Sequence, residues 1–298
     1  MIEFINVKKS FFDNIVLQNV SFKIEDASIF ALIGRNGAGK TTMLKLLLSL
    51  IEKDEGEILI DGIKIKDIKR NKIKKIGYIS DRFESETNYT LYEYLIFYAN
   101  CYSYYGIRGK NKVDKVLKKL YLENRKEELV DTFSKGTKAI VALARVLIAN
   151  PDIFILDEPL DGLDAFSKEE FISILHDLRE EGKIIILTSH QFSEVRNFCT
   201  HIGILEHTKI SEYGAIKDII KTSIFQKKLI IEIDSDYNNI ISFLKREELV
   251  QDITLQGSVL YLGFSGKEED EKELLYKLVQ NKFGIRSFVS EYEHNYDF

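Results

Sequence analysis

Between Gly34 and Thr41 the chain reads GRNGAGKT, which meets every fixed position of the pattern GxxxxGK[ST]. Glycines let backbone N–H groups turn inward around an anion, and the start of a helix adds its positive dipole end. Lys40 is placed to reach the β- and γ-phosphates of a nucleoside triphosphate, and the Thr41 hydroxyl to ligate Mg2+. Gly34, Asn36, Gly37, Gly39 and Thr42 complete the residues expected around the phosphates. A dinucleotide-binding loop needs GxGxxG, whereas the glycines here are spaced GxxGxG.

Two acids and a histidine supply the rest of a hydrolytic set. Asp157 and Glu158 follow the four apolar residues Ile153 to Leu156. In a parallel α/β sheet, chemistry gathers at the carboxyl ends of strands, so both acids face the phosphate loop. Asp157 is expected in the Mg2+ shell, and Glu158 as the group that deprotonates attacking water. His190 ends the next such run, KIIILTSH, and stands where it can hydrogen-bond a γ-phosphate.

A second anion site is written further along. Ser134 is a good N-cap, and the residues from Lys135 to Ala149 place Ile140, Leu143, Ala144, Leu147 and Ile148 at helical spacing before Asn150-Pro151. Ser134 and Gly136 therefore mark another helix N-terminus. A single nucleotide does not need two such helices from one chain.

The elements that must position these groups are legible nearby. The apolar run Ile29 to Ile33 predicts a buried parallel strand, and Met43, Leu44, Leu46, Leu47, Leu48 and Leu50 continue the loop as a helix packed on the sheet. This strand–loop–helix setting is the context the phosphate motif requires.

Taken together these motifs resemble the ABC-transporter ATPases, over roughly residues 1 to 220. Gly34 to Thr41 matches Walker A, Ser134-Lys135-Gly136 the signature, Asp157-Glu158 Walker B with its catalytic glutamate, Asp161 to Asp164 the D-loop and His190 the H-loop. The resemblance implies an α/β P-loop NTPase core with a mainly parallel sheet, an N-terminal antiparallel β part and a helical subdomain at about 82–148. It implies ATP and Mg2+ as ligands. It also implies head-to-tail dimers, homomeric or with a second ABC ATPase, in which Ser134, Gly136 and Asp164 of one chain complete the nucleotide site of another. That supplies a use for the second helix start.

The sequence also departs from the family pattern. The signature is usually LSGGQ, and here it runs Phe133 to Thr137 as FSKGT, with a cation, Lys135, at its centre. Asp81 stands where the Q-loop glutamine is usual; a carboxylate there can still ligate Mg2+ or orient water. Phe11 is the aromatic expected to stack on adenine, with Phe12 as the alternative and a plain core aromatic as the bland reading of either.

Composition bounds the remaining classes. A net charge of −5 disfavours a partner bound through phosphate neutralisation, so no nucleic acid is expected. The stretch between Thr41 and Ser134 leaves no room for the long coiled coil of DNA-repair relatives. Cys101 and Cys199 lack CxxC spacing and read as two reduced, buried thiols. The opening MIEFINVKKSFFDN is charged and has no apolar core, which argues against a secretory leader, and no window approaches a membrane span.

Asn88 to Ile107 holds seven of the chain's fifteen tyrosines, too many for one buried helical face, and a lysine-rich run to Glu128 follows. Both read as helices, and the tyrosines as a groove for a permease helix, with core plus a tolerated surface as the bland reading. After residue 220 the order βαββαβ predicts a small ferredoxin-like α+β domain, 221–298, whose ten cations and fourteen acids exclude a nucleic-acid grip. ATPases of drug and peptide exporters carry such tails, so the resemblance implies an exporter subunit powering an integral-membrane permease on a separate chain. The protein would then be cytoplasmic, on the inner face of the membrane. The alternative is an immunity or regulatory ATPase that senses a peptide with little turnover.

Overall fold

Strands covered on both faces need unbroken apolar runs, and the chain places its longest ones side by side. In the computed structural model, residues 1–67, 75–80, 88–221, 225–234, 237–266 and 268–294 are described. The chain forms two units, Met1–Ile216 and Lys217–Asp297.

The first unit opens with a hairpin, β1 (Ile2–Phe11) and β2 (Asn14–Ile24), followed by β3 (Ile29–Ile33), α1 (Lys40–Leu47), β4 (Glu55–Ile60) and β5 (Ile63–Lys64). Next come β6 (Ile76–Ile79) and three helices, α2 (Leu91–Cys101), α3 (Gly106–Lys119) and α4 (Lys135–Leu147). The remainder is β7 (Ile153–Leu156), α5 (Ala165–Glu180), β8 (Ile184–Ser189), α6 (Phe192–Val195), β9 (His201–Glu206) and β10 (Lys209–Ala215). Two sheets result, an antiparallel one ordered β2-β1-β4-β5 and a larger one ordered β10-β9-β3-β8-β7-β6. In the larger sheet β9, β3, β8, β7 and β6 are parallel, and β10 alone runs against its neighbour.

One core joins the two sheets and α1, with Phe4, Phe22, Phe30, Met43, Leu44 and Leu47 among its buried members. Phe4 stacks on Phe22 at 4.6 Å and Phe22 on Phe30 at 5.4 Å between centroids, linking β1 and β2 to the central strand β3. The phosphate-loop helix is thus clamped between two apolar faces, which holds its N-terminus still.

Helices α2 to α4 pack on one another, and Leu91, Leu95, Val113, Leu117 and Leu143 are buried along them. Thr90 starts α2 with a capping box: its hydroxyl accepts from Glu93 N, and its own N–H donates to the Glu93 carboxylate at 2.9 Å. The tyrosine-rich segment is not one helix. It breaks after Cys101, where Ser103 turns left-handed (φ 63°) and Tyr104 N–H reaches back to Ala99 O. The lysine-rich helix stops at Lys119 for the same reason, with Tyr121 left-handed (φ 56°) and Leu122 N–H on Leu117 O. Both are Schellman-type endings, which satisfy the last carbonyls of a helix. Cys199 is buried as expected, but Cys101, the last residue of α2, is exposed.

Helix α7 (Ile216–Lys221) spans the division, and the second unit continues with β11 (Phe225–Ile233), α8 (Tyr237–Leu244), β12 (Val250–Gln256), β13 (Val259–Phe264), α9 (Glu268–Gln280) and β14 (Ile285–His294). Its sheet is fully antiparallel in the order β12-β13-β11-β14, the ferredoxin-like arrangement. Alternation in β11 buries Leu229, Ile231 and Ile233 against Ile240, Leu244, Leu274 and Leu278 of the two helices. No helix among the described residues is long and apolar enough to cross a membrane.

Candidate functional site

The carboxyl ends of β3, β7 and β8 lie side by side and carry the chemistry. β3 runs into the loop Gly34 to Gly39, in which Gly37 (φ 82°) and Gly39 (φ 109°) take left-handed backbone that only glycine adopts without strain. A Cβ on Gly34 would lie 2.5 Å from Leu205 O at the end of β9, and one on Gly39 would lie 2.9 Å from Val16 of β2. The loop is therefore packed between β9 and the hairpin. No side chain caps α1 at Gly39, which leaves its first-turn amides directed at the loop.

Lys40 is 5% exposed, and its amine donates to Gly34 O at 2.7 Å and Arg35 O at 3.2 Å. It also lies 3.3 Å from Glu158 Oε1. The amine is thus folded over the cradle, on carbonyls it can exchange for phosphate oxygens. Thr41 Oγ1 donates to Asp157 Oδ2 at 2.9 Å, bringing a helix start and a strand end to one point.

Register explains the next contact. Leu156 pairs with Leu187, so Asp157 falls beside Thr188, whose hydroxyl donates to Asp157 Oδ1 at 2.6 Å. The same hydroxyl accepts the Glu158 N–H at 2.8 Å. Thr188, 1% exposed, therefore orients both acids; it went unread in sequence because nothing local links residue 188 to residue 157. Glu158 itself is left-handed (φ 46°), a conformation that costs a non-glycine residue about 1–3 kcal/mol and is common at working sites. It lies between Lys40 and His190, whose Nδ1 is 3.9 Å from Glu158 Oε2.

The structure thus gathers Lys40, Thr41, Asp157, Glu158, Thr188 and His190 around the phosphate loop. Asn36 is exposed within the loop, and Thr42 is half-buried in the first turn of α1. Phe11 ends β1 at 43% exposure with the Lys9 amine 5.2 Å from its ring, while Phe12 is fully exposed at the tip of the hairpin. Asp81 lies outside the described residues.

Ser134 and Gly136 are elsewhere. Ser134 caps α4, its Oγ accepting from Thr137 N at 3.2 Å. Among the described residues, the side-chain hydrogen bonds and ion pairs of 133–137 go to their own helix, Arg125 and Asp161 rather than to the phosphate-loop cluster. A Cβ on Gly136 would lie 2.1 Å from Ser167 Oγ, so α4 meets the start of α5 at van der Waals limit. Asp164 caps that helix, accepting from Ser167 N at 2.9 Å and Ser167 Oγ at 2.8 Å. These bonds hold its carboxyl below the usual carboxylate range. Arg125, also unread in sequence, braces the start of α4: its guanidinium stacks 4.3 Å over Phe133 and donates to Thr137 Oγ1 at 3.3 Å. The bond to Glu128 raises the affinity of Arg125 for its proton.

Comparison with known proteins agrees with this geometry. Residues 17–161 match the family model described as ABC transporter. An uncharacterised ABC transporter ATP-binding protein of Methanocaldococcus jannaschii is 32% identical over 246 residues, covering 81% of this chain and 89% of that protein. The Nod factor export ATP-binding protein I of Burkholderia thailandensis is 31% identical over 75% of this chain and 73% of its own. The methionine import ATP-binding protein MetN of Clostridium tetani is 30% identical over 94% of this chain and 93% of its own. Among solved structures, a dimeric post-hydrolysis ATP-binding cassette bound to ADP and Pi shares 27% identity with a TM-score of 0.61, covering 72% of this chain and 99% of that one. The chain belongs to the ATP-binding subunits of ABC transporters and is an ATPase.

Proposed function

We propose that this chain powers an exporter of a drug, lipid or peptide, working as a head-to-tail dimer of cassettes on a membrane permease encoded as a separate chain. The observation that carries the dimer is the second helix start itself: Ser134 is exposed and hydrogen-bonds Thr137 of its own helix, not the phosphate cradle with its acids. In the dimer, Ser134, Gly136 and Asp164 of each cassette face the nucleotide of the other. Similarity to a cassette solved as a dimer with ADP and Pi supports this reading.

In the proposed reaction Lys40 trades the Gly34 and Arg35 carbonyls for β- and γ-phosphate oxygens of ATP. Glu158 takes the proton from the attacking water, and His190 hydrogen-bonds the γ-phosphate. Thr41 and Asp157 present hard oxygens already in contact, which fits Mg2+; Mg2+ held there would neutralise charge building on the phosphates. Phe11 offers a flat, exposed face for adenine. The α2 region offers Tyr89, Phe97, Tyr102 and Tyr105, all exposed, as the permease-docking face of a cassette held on the cytoplasmic side.

Export is supported by similarity to a Nod factor export protein. A second reading, import, is favoured by one observation: the MetN relative aligns over 94% of this chain and so includes the C-terminal unit. Purification of the chain from native membranes, followed by reconstitution of whatever permease accompanies it, separates the two. With cassettes facing outward and ATP added outside, an exporter loads substrate into the vesicle, and an importer empties it. No ATPase activity from the wild-type complex would overturn both, in favour of a sensing module with little turnover.

A further inference from the structure

We propose that Lys135 is a positioning residue, tying the start of α4 to the turn that carries Glu158 within the same chain. The tie rests on two contacts and one backbone conformation. The Lys135 amine lies 3.8 Å from Asp161 Oδ2. It also occupies the space above Gly162, where an added Cβ would meet it at 2.3 Å. Gly162 takes left-handed backbone (φ 63°), so its bare face is what lets the lysine lie along the loop.

Asp161 is not an isolated partner. Its N–H donates to Glu158 O at 3.2 Å, and Leu163 N–H donates to Leu160 O at 3.3 Å, so Glu158 to Leu163 form two consecutive closed turns. A displacement at Asp161 therefore reaches the backbone of Glu158. Beneath the loop lies a cavity of about 290 Å³ lined by Lys135, Glu158, Asp161, Phe133 and Ser80, which gives the turn room to move. Lys135 and Asp161 are 61% and 60% exposed, so their attraction contributes little to stability. Its consequence is geometric: it biases where the turn sits.

Given the dimer reading above, on which this coupling rests, the Ser134 helix start serves one nucleotide and Glu158 another. Lys135 then carries a message inside one subunit. When α4 takes up a γ-phosphate across the interface, the lysine shifts with its helix and resets the Asp161 turn, and with it the Glu158 that acts on the chain's own nucleotide. A glycine at this position, as in the usual signature, has no side chain to do this.

The test compares full-length Lys135→Ala, Lys135→Arg, Asp161→Asn and the double variant Lys135→Ala/Asp161→Asn in complex with the permease. Lys135→Ala and Asp161→Asn should each lower kcat about fivefold with KM for ATP unchanged. The double variant should be no slower than either single one, and Lys135→Arg should restore the rate. Amide hydrogen exchange over 158–164, measured on the nucleotide-free subunit, should quicken in Lys135→Ala. Unchanged exchange overturns the tie, as do additive losses in the double variant. A raised KM in Lys135→Ala with Asp161→Asn silent also overturns it, since the amine would then be serving phosphate directly. Because the exchange measurement needs no dimer, a failure of the dimer reading remains distinguishable from a failure of the tie.

Discussion

Lys40 and Glu158 share an ion pair at 3.3 Å in which the lysine is almost fully buried. In the reaction proposed above, an incoming triphosphate displaces that carboxylate from the amine, so two effects of Glu158 oppose each other: its charge disfavours an anion beside Lys40, yet its basicity serves the proposed proton transfer.

Replacing Glu158 by Gln separates the two effects. The variant keeps the shape of the side chain and loses its charge. ATP should bind severalfold more tightly, while kcat falls by about 10²–10⁴. Isothermal titration and single-turnover hydrolysis check the two halves, and light scattering with ATP should show a stable dimer. Unchanged turnover would remove Glu158 from the reaction.

Thr188→Val tests the hinge between the two acids. The substitution keeps volume and deletes the hydroxyl that holds Asp157 Oδ1 and accepts the Glu158 N–H. Leaving these buried groups short of a partner should lower stability by about 1–3 kcal/mol. A looser Asp157 should also raise the Mg2+ concentration needed for half-maximal ATPase activity, a shift that a purely structural loss would not produce. Thermal unfolding and a Mg2+ titration read the two effects.

The two cysteines should differ sharply towards an aromatic disulfide reagent at neutral pH. Cys101 is exposed at the end of α2, whereas Cys199 is buried and its burial pushes the thiol well above its ordinary value. A group whose pKa rises on burial keeps its proton as pH increases, so Cys199 stays a thiol through the range in which a free cysteine ionises. One thiol should react quickly in the native protein and the second only on unfolding. Cys101→Ser should abolish the fast phase.

How far residues alone reveal this site depends on whether the signal is local. Gly34 to Thr41 has one physical reading, because left-handed glycines and a lysine at a helix start suit little besides phosphate, and Ile29–Ile33 and Val259–Phe264 form the strands their apolar patterns predict. Ser134 was legible as a cap for the same local reason. Asn150-Pro151 likewise marked the end of α4, but other helix ends were silent. Ser49, Ser103 and Tyr121 each close a helix in left-handed backbone without being glycine, so no residue type announced the stop. Thr188 and Arg125 escaped because their partners lie far off in sequence or across a loop, and only the β7–β8 register or the packing of Phe133 brings them into place. The departures from the family pattern divide likewise: Lys135 finds an intrachain partner that no spacing rule predicts.

Gly136 provides the last prediction, at the junction of the α4 and α5 starts. An added Cβ would lie 2.1 Å from Ser167 Oγ and 2.4 Å from Ser167 Cβ, and although Oγ can rotate away, Cβ does not move with the rotamer. Gly136→Ala must therefore push the two helix starts apart, at a cost of about 1–3 kcal/mol typical of overpacking. Ser167 also binds Asp164, so the displacement disturbs the cap of α5. Adding Ser167→Gly removes both offending atoms, and the double variant should recover part of the stability lost by Gly136→Ala, although Ser167→Gly alone is destabilising. Chemical denaturation of the four proteins closes the cycle. Strict additivity would show that the contact between Gly136 and Ser167 does not limit how closely α4 approaches α5.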